Sequence, residues 1–121
     1  MTLATLEHPR CLECRDDGIR RIVNDNNPNG NAGRPYYRCY PCDRFICFDD
    51  QRGISSANPL CDCGLYSRRQ MAGVGKQVPR GLHYVCARGG CYFYELMLDN
   101  GRQFLVPDNL VHNPSIGGPR K

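Results

Sequence analysis

Nine of the 121 residues are cysteines, and they fall in two blocks of the same design. The first block is Cys11-x2-Cys14, a gap of 24 residues, then Cys39, Cys42 and Cys47. The second is Cys61-x-Cys63, a gap of 22 residues, then Cys86-x4-Cys91. Two close thiols, a long gap and two more close thiols assemble four soft ligands around Zn²⁺, which takes tetrahedral thiolates at about 2.3 Å. A tight turn offers the first pair, and the second arrives when the chain folds back. The spacing therefore predicts a small, metal-stabilised, mostly β fold. It is built of two tandem zinc-ribbon-like modules of short antiparallel strands, with two Zn²⁺ per chain.

Size supports this reading. Two units of about 50 residues bury too little apolar surface to fold unaided and need a metal or disulfides. Thirteen glycines, nine prolines and no tryptophan favour short strands and turns over long helices. The opening stretch Met1–Arg10 has no apolar run of signal-peptide length, and nothing in the sequence is long and apolar enough to span a membrane. These features lead to the expectation of an intracellular protein whose thiols stay reduced and bind metal. A secreted disulfide framework is the competing reading, and the odd cysteine count fits it poorly.

The two blocks read as a duplication. With Cys39 set over Cys86, Tyr36-Tyr37-Arg38-Cys39 faces His83-Tyr84-Val85-Cys86, and Cys47-Phe48 faces Cys91-Tyr92. The offsets run 50, 49, 47 and 44. Each module should be a hairpin. Gly18–Val23 goes out, the turn-forming run Asn24–Gly33 reverses the chain, and Pro35–Cys39 returns. In the second module, Gly64–Gln70 goes out and Gly81–Cys86 returns. Tyr92–Leu98 is a strand or a short helix, Asp99-Asn100-Gly101 a turn, and Arg102–Val106 a last strand. The expected boundaries are 8–50 for the first module, 51–60 for a linker, 61–106 for the second module and 107–121 for a flexible tail.

The second module offers four cysteines and no spare: Cys61, Cys63, Cys86 and Cys91. Four thiolates fill a tetrahedron, which marks a structural site and not a hydrolytic one with an open water position. The first module has five candidates for four places. The repeat favours Cys11, Cys14, Cys39 and Cys47, leaving Cys42 free, with Cys42 in place of Cys47 as the alternative. His8, His83 and His112 read as ordinary histidines.

The formal charge of +4 falls to about zero once eight thiolates and two zinc ions are counted, so net charge makes no case for nucleic acid. Distribution makes a small one, with eight basic and four acidic residues in 58–121. Arg20, Arg21, Arg34, Arg38, Arg68, Arg69, Arg80 and Arg88 interleave with Tyr36, Tyr37, Tyr84 and Tyr92, a pattern that suits phosphates and stacked bases.

Asn29-Gly-Asn-Ala-Gly33-Arg34-Pro-Tyr36-Tyr37-Arg-Cys39 resembles the GRF-type zinc finger, with its G-x-N-x-G-R-x-[FY]-[FY]-x-C stretch. The second module shares the C-x-C-G opening at Cys61-Asp-Cys63-Gly64 and the aromatic close at Cys91-Tyr92-Phe93-Tyr94. It lacks the G-R-x-F step, and neither module has the terminal Trp. The resemblance implies a single-stranded DNA surface of Arg34, Tyr36, Tyr37 and Phe48, with Tyr84, Tyr92 and Phe93 as counterparts. The expectation is therefore a non-enzymatic, nuclear, zinc-built module. It would bind single-stranded DNA or RNA, with no membrane and no small-molecule substrate. A protein-interaction adaptor is the alternative.

Overall fold

A computed structural model describes residues 8–73 and 75–111. His112 and the rest of the expected tail to 121 lie outside them. The first module is a three-stranded antiparallel sheet of β1 (Ile19–Ile22), β2 (Pro35–Cys39) and β3 (Arg44–Phe48), in that order. The second repeats the pattern with β4 (Arg68–Met71), β5 (Leu82–Val85) and β6 (Tyr94–Leu96). A small hairpin follows, β7 (Leu98–Asp99) with β8 (Arg102–Gln103). Its two turn residues, Asn100 and Gly101, have φ of 55° and 80°, the left-handed pair that an Asn-Gly hairpin turn requires. Among the described residues no helix is long and apolar enough to cross a membrane. The one 3-10 turn there, Asp108–Leu110, falls in the expected tail, just after the fully buried Val106.

Ordinary hydrophobic core is scarce. Leu82, Val106, Phe48 and Ala87 are buried, and most of the rest of the buried set is cysteine. Charged groups complete the interior. Arg68, 1% exposed, donates from Nη1 to Asp50 Oδ1 at 2.8 Å and to the Arg52 carbonyl at 2.7 Å. Its Nη2 donates to the Phe48 carbonyl at 3.1 Å and the Ala87 carbonyl at 3.2 Å. One guanidinium of the second module thus closes over the end of β3 in the first. Asp50 also accepts two bonds from Arg34, at 2.8 and 2.9 Å. Burial works to raise the Asp50 carboxyl, but the hydrogen bond and charge of Arg34 and the charge of Arg68 outweigh it and hold it below the ordinary value.

The segment 51–60 lies against the second module. Ile54 bridges to Arg68, and the Arg69 N–H donates to the Gly53 carbonyl at 2.8 Å. The Asn58 amide donates to Gly53 and Ser67 carbonyls at 2.7 Å each. Further contact comes from Gly89, whose α-carbon approaches β3 so closely that a Cβ there would lie 2.8 Å from the Ile46 carbonyl oxygen. Arg88 also pairs with Asp49 across the seam, at 3.4 Å.

Candidate metal centres and interface groove

Each module gathers four sulfurs. Cys11, Cys14, Cys39 and Cys42 form one group, and Cys61, Cys63, Cys86 and Cys91 the other. Within each, all Sγ atoms lie within 4.8 Å of one another. None of the nine cysteines is in a disulfide. The Cys14 and Cys39 sulfurs are 3.5 Å apart, close to the roughly 3.8 Å edge of a tetrahedron with 2.3 Å bonds. The donor set and spacing fit Zn²⁺, and each cluster can hold one ion with all four positions filled by the chain.

Local turns make these clusters. In the first module the Arg15 N–H donates to the Cys11 carbonyl at 2.8 Å, and Arg15 adopts a φ of 69°. Gly64 does the same in the second, with a 2.9 Å bond to Cys61 and a φ of 82°. The returning turns also correspond. Asp43 (φ 54°) closes the loop that carries Cys39 and Cys42, and Gly89 (φ 70°) the loop that carries Cys86 and Cys91. The Gly90 N–H donates to the Cys86 sulfur at 3.2 Å.

Four crowded thiols cannot all ionise without a cation among them. The backbone N–H of Cys14 is the main influence bringing Cys11 down to about 7. Its neighbour Cys42 is pushed up to about 12, chiefly by its hydrogen bond with Cys14. Burial is the main cause that pushes Cys63 to about 12. Binding of Zn²⁺ must therefore displace protons, and acid must weaken it.

The expected ligand Cys47 is not in the cluster; Cys42 takes its place. The register explains why. Cys47 pairs with Tyr37 on β2, two residues from Cys39, which is about 7 Å along a strand. Cys42 sits in the turn directly after Cys39, as Cys91 sits in the turn after Cys86. Cys47 is buried in β3, and burial pushes its thiol up to about 11. The misleading signal was the aromatic that follows both Cys47 and Cys91. The better one was the repeat offset: with Cys42 over Cys91 the series reads 50, 49, 47 and 49, without the drop to 44.

The residues expected to face nucleic acid divide by strand alternation. Residues paired across a ladder point to one face. Arg21, Tyr36 and Phe48 therefore share a face, and Phe45 stacks on Tyr36 at 5.9 Å and meets Phe48 edge-on at 4.9 Å. Tyr37 points the other way and packs against His8 at 5.0 Å. In the second module Gln70, His83 and Leu96 share the corresponding face, and Tyr94 stacks on His83 at 5.0 Å. Tyr84 lies opposite, between Arg69 and Glu95.

Two expected cations are enclosed and cannot meet a ligand. Arg34, 9% exposed, lies 3.5 Å over the Phe48 ring and is held by Asp50 and Asn31. Arg68 is the buried clasp between modules. Four other cations have protein contacts. Arg38 bonds Asp43, Arg69 lies 4.0 Å from the Met97 sulfur, Arg80 donates to the Val106 carbonyl at 2.9 Å, and Arg88 pairs with Asp49. Tyr92, although 63% exposed, has its hydroxyl on Glu13, and Phe93 is half-buried.

The common face forms a groove of about 690 Å³ that crosses both modules, walled by Phe45 and Phe48 on one side and His83, Tyr94 and Leu96 on the other. A cleft of about 470 Å³ continues it past Tyr36 and Arg21, and the two share Asn31, Phe45 and Phe48. Phe45, His83 and Tyr94 were not among the expected contacts. Strict alternation along β3 would put Phe45 with Cys47, away from Phe48; the register shift opposite Tyr37 and Arg38 brings Phe45 round to the Phe48 face, and nothing in the sequence signals it.

Fold and donor sets together define a tandem pair of four-cysteine zinc ribbons. Residues 8–52, the first module, match the family model described as the GRF-like zinc ribbon domain. A solved structure described as human NEIL3 tandem zinc finger GRF domains is 24% identical; the match covers 74% of this chain and 97% of that one, with a TM-score of 0.29. No curated protein matches the chain.

Proposed function

We propose that this chain is a single-stranded nucleic-acid-binding module in which two structural zinc ions hold one continuous binding groove. One observation carries the reading. The aromatic groups Tyr36, Phe45 and Phe48 of the first module and His83 and Tyr94 of the second line one groove and the cleft that continues it. Ring faces in a groove suit unpaired bases, each stacking contact contributing about 1–3 kcal/mol, whereas a duplex keeps its bases stacked on one another. Arg21 and Lys76 line the same surface and supply charge for the backbone. The acids Asp49 and Asp50, which weigh against an anionic ligand in the bare sequence, are turned inward onto Arg20, Arg88, Arg34 and Arg68. The proposed role is binding without catalysis, since each zinc cluster can draw all four ligands from cysteine.

Fluorescence anisotropy of the zinc-loaded chain with labelled single- and double-stranded oligonucleotides at two salt concentrations tests this. Single strands should bind more tightly, and affinity should fall as salt rises. Phe45→Ala and Tyr94→Ala should each weaken binding by about five- to a hundredfold, the equivalent of one stacked base. Tyr92→Ala, off the groove, should not. Absence of binding to any oligonucleotide would reject the proposal and leave a protein partner as the occupant of the groove.

A further inference from the structure

The cleft beside Tyr36 is walled by an unusual concentration of amides: Asn24, Asn26, Asn27 and Asn31 with Arg21, around the rings of Tyr36, Phe45 and Phe48. At about 470 Å³ it falls within the size range of small-ligand pockets, roughly 300–1,000 Å³. We infer that this cleft is a base-selective pocket that takes guanine, so that the module prefers strands carrying a G at one position. The inference rests on the nucleic-acid reading above and adds sequence preference to it.

The polarity of the amides supports the choice of base. Asn27 Oδ1 accepts the backbone N–H of Asn29 at 2.8 Å and that of Asn31 at 3.4 Å. Because backbone N–H groups only donate, this atom must be the oxygen. Asn31 Oδ1 accepts from the Arg34 guanidinium at 3.0 Å, which fixes it in the same way. Both carbonyl oxygens are thus engaged by protein donors, which leaves each of these two side chains an –NH₂ group to offer a ligand in the cleft. Arg21 adds a guanidinium, which also only donates. The donors of Asn27, Asn31 and Arg21 beside stacking rings suit a base edge made of acceptors alone. Guanine presents O6 and N7 side by side, whereas adenine places an N6 amino donor beside N7. Adenine would set donor against donor in the same pose.

The loop itself makes this possible. Asn24-Asp-Asn-Asn-Pro28 is the turn between β1 and β2, and its Asn27 carbonyl oxygen acts as an internal cap that organises the strand of backbone from 29 to 31.

The test uses the zinc-loaded full chain and labelled oligothymidine carrying one central G, A, C or T. The G strand should bind about tenfold more tightly than the A strand. Replacing that G by 7-deazaguanine, which lacks N7, should remove most of the gain. Asn27→Asp keeps the capping oxygen and deletes the amide donor, so it should erase the preference for G. Its added negative charge would weaken all strands together, which is why the ratio of G to A affinity is the readout. Equal affinity for the four strands, or loss in Asn27→Asp that leaves the G-to-A ratio unchanged, would overturn the pocket assignment while leaving the groove proposal standing. No binding to any strand would overturn both.

Discussion

The two modules share a strand order and a four-thiol cluster, yet they complete their interiors differently. The first stacks Arg34 on Phe48 and pins it to Asp50, all within its own β2–β3 neighbourhood. The second sends its buried arginine, Arg68, out to the Asp50 and Phe48 of its partner module. The first is a self-contained ribbon, and it is the part that matches a family model. The second completes its core by docking. The difference teaches that the two modules share a metal skeleton without sharing the side-chain interactions around it, and that Asp50 serves both halves.

Removing zinc should produce the largest effect, because it strikes the feature the modules share. Structural zinc sites are worth about 10–16 kcal/mol at pH 7, far beyond what so small a core can supply. A chelator should unfold both halves, read as loss of amide dispersion in NMR, and mild acid should release the metal as thiolates protonate. Retention of native dispersion in either module after chelation would show that its core does not depend on zinc.

Next in size is the shared clasp. Asp50→Asn leaves two buried guanidiniums without their charge partner and should cost about 3 kcal/mol in thermal or denaturant unfolding. The folded carboxyl lies below the ordinary value, so its contribution is complete above about pH 4 and is lost as pH falls through the lower folded value. The gap between variant and parent should therefore stay constant from about pH 5 to 8. If it closes within that range, the carboxyl is not held down as described.

Gly89→Ala probes the seam from the other side. Its φ of 70° and the Ile46 carbonyl 2.8 Å from a new Cβ combine strain with a backbone clash. A loss of about 1–3 kcal/mol is expected, with weaker protection of β3 amides in hydrogen exchange. The smallest effect should come from Arg15→Gly, which gives the first module the glycine that the second has at Gly64. Relief of a left-handed φ should make it neutral or stabilising by about 1 kcal/mol.

Much of the skeleton was legible because metal chemistry is local. The C-x2-C and C-x-C openings, the duplicated hairpins and the Asn100-Gly101 turn follow from spacing and turn preference alone. Cys42 was hidden by a likeness of neighbours, Phe48 beside Cys47 and Tyr92 beside Cys91, which outweighed the steadier offset. The burial of Arg34 and Arg68 was not legible, because it depends on a single carboxylate that lies 16 and 18 residues away from them and reaches across modules. Tyr36 and Tyr37 were placed on one surface although strand alternation separates them. Tyr37 and Tyr84 therefore lie on the face away from the groove, while Phe45, His83 and Tyr94 line it.

Zinc content measured by elemental analysis on the parent chain, Cys42→Ser and Cys47→Ser decides the central claim. The account predicts two ions in the parent, one in Cys42→Ser and two in Cys47→Ser, since Cys42 and not Cys47 stands in the first cluster. Two ions in Cys42→Ser and one in Cys47→Ser would contradict it.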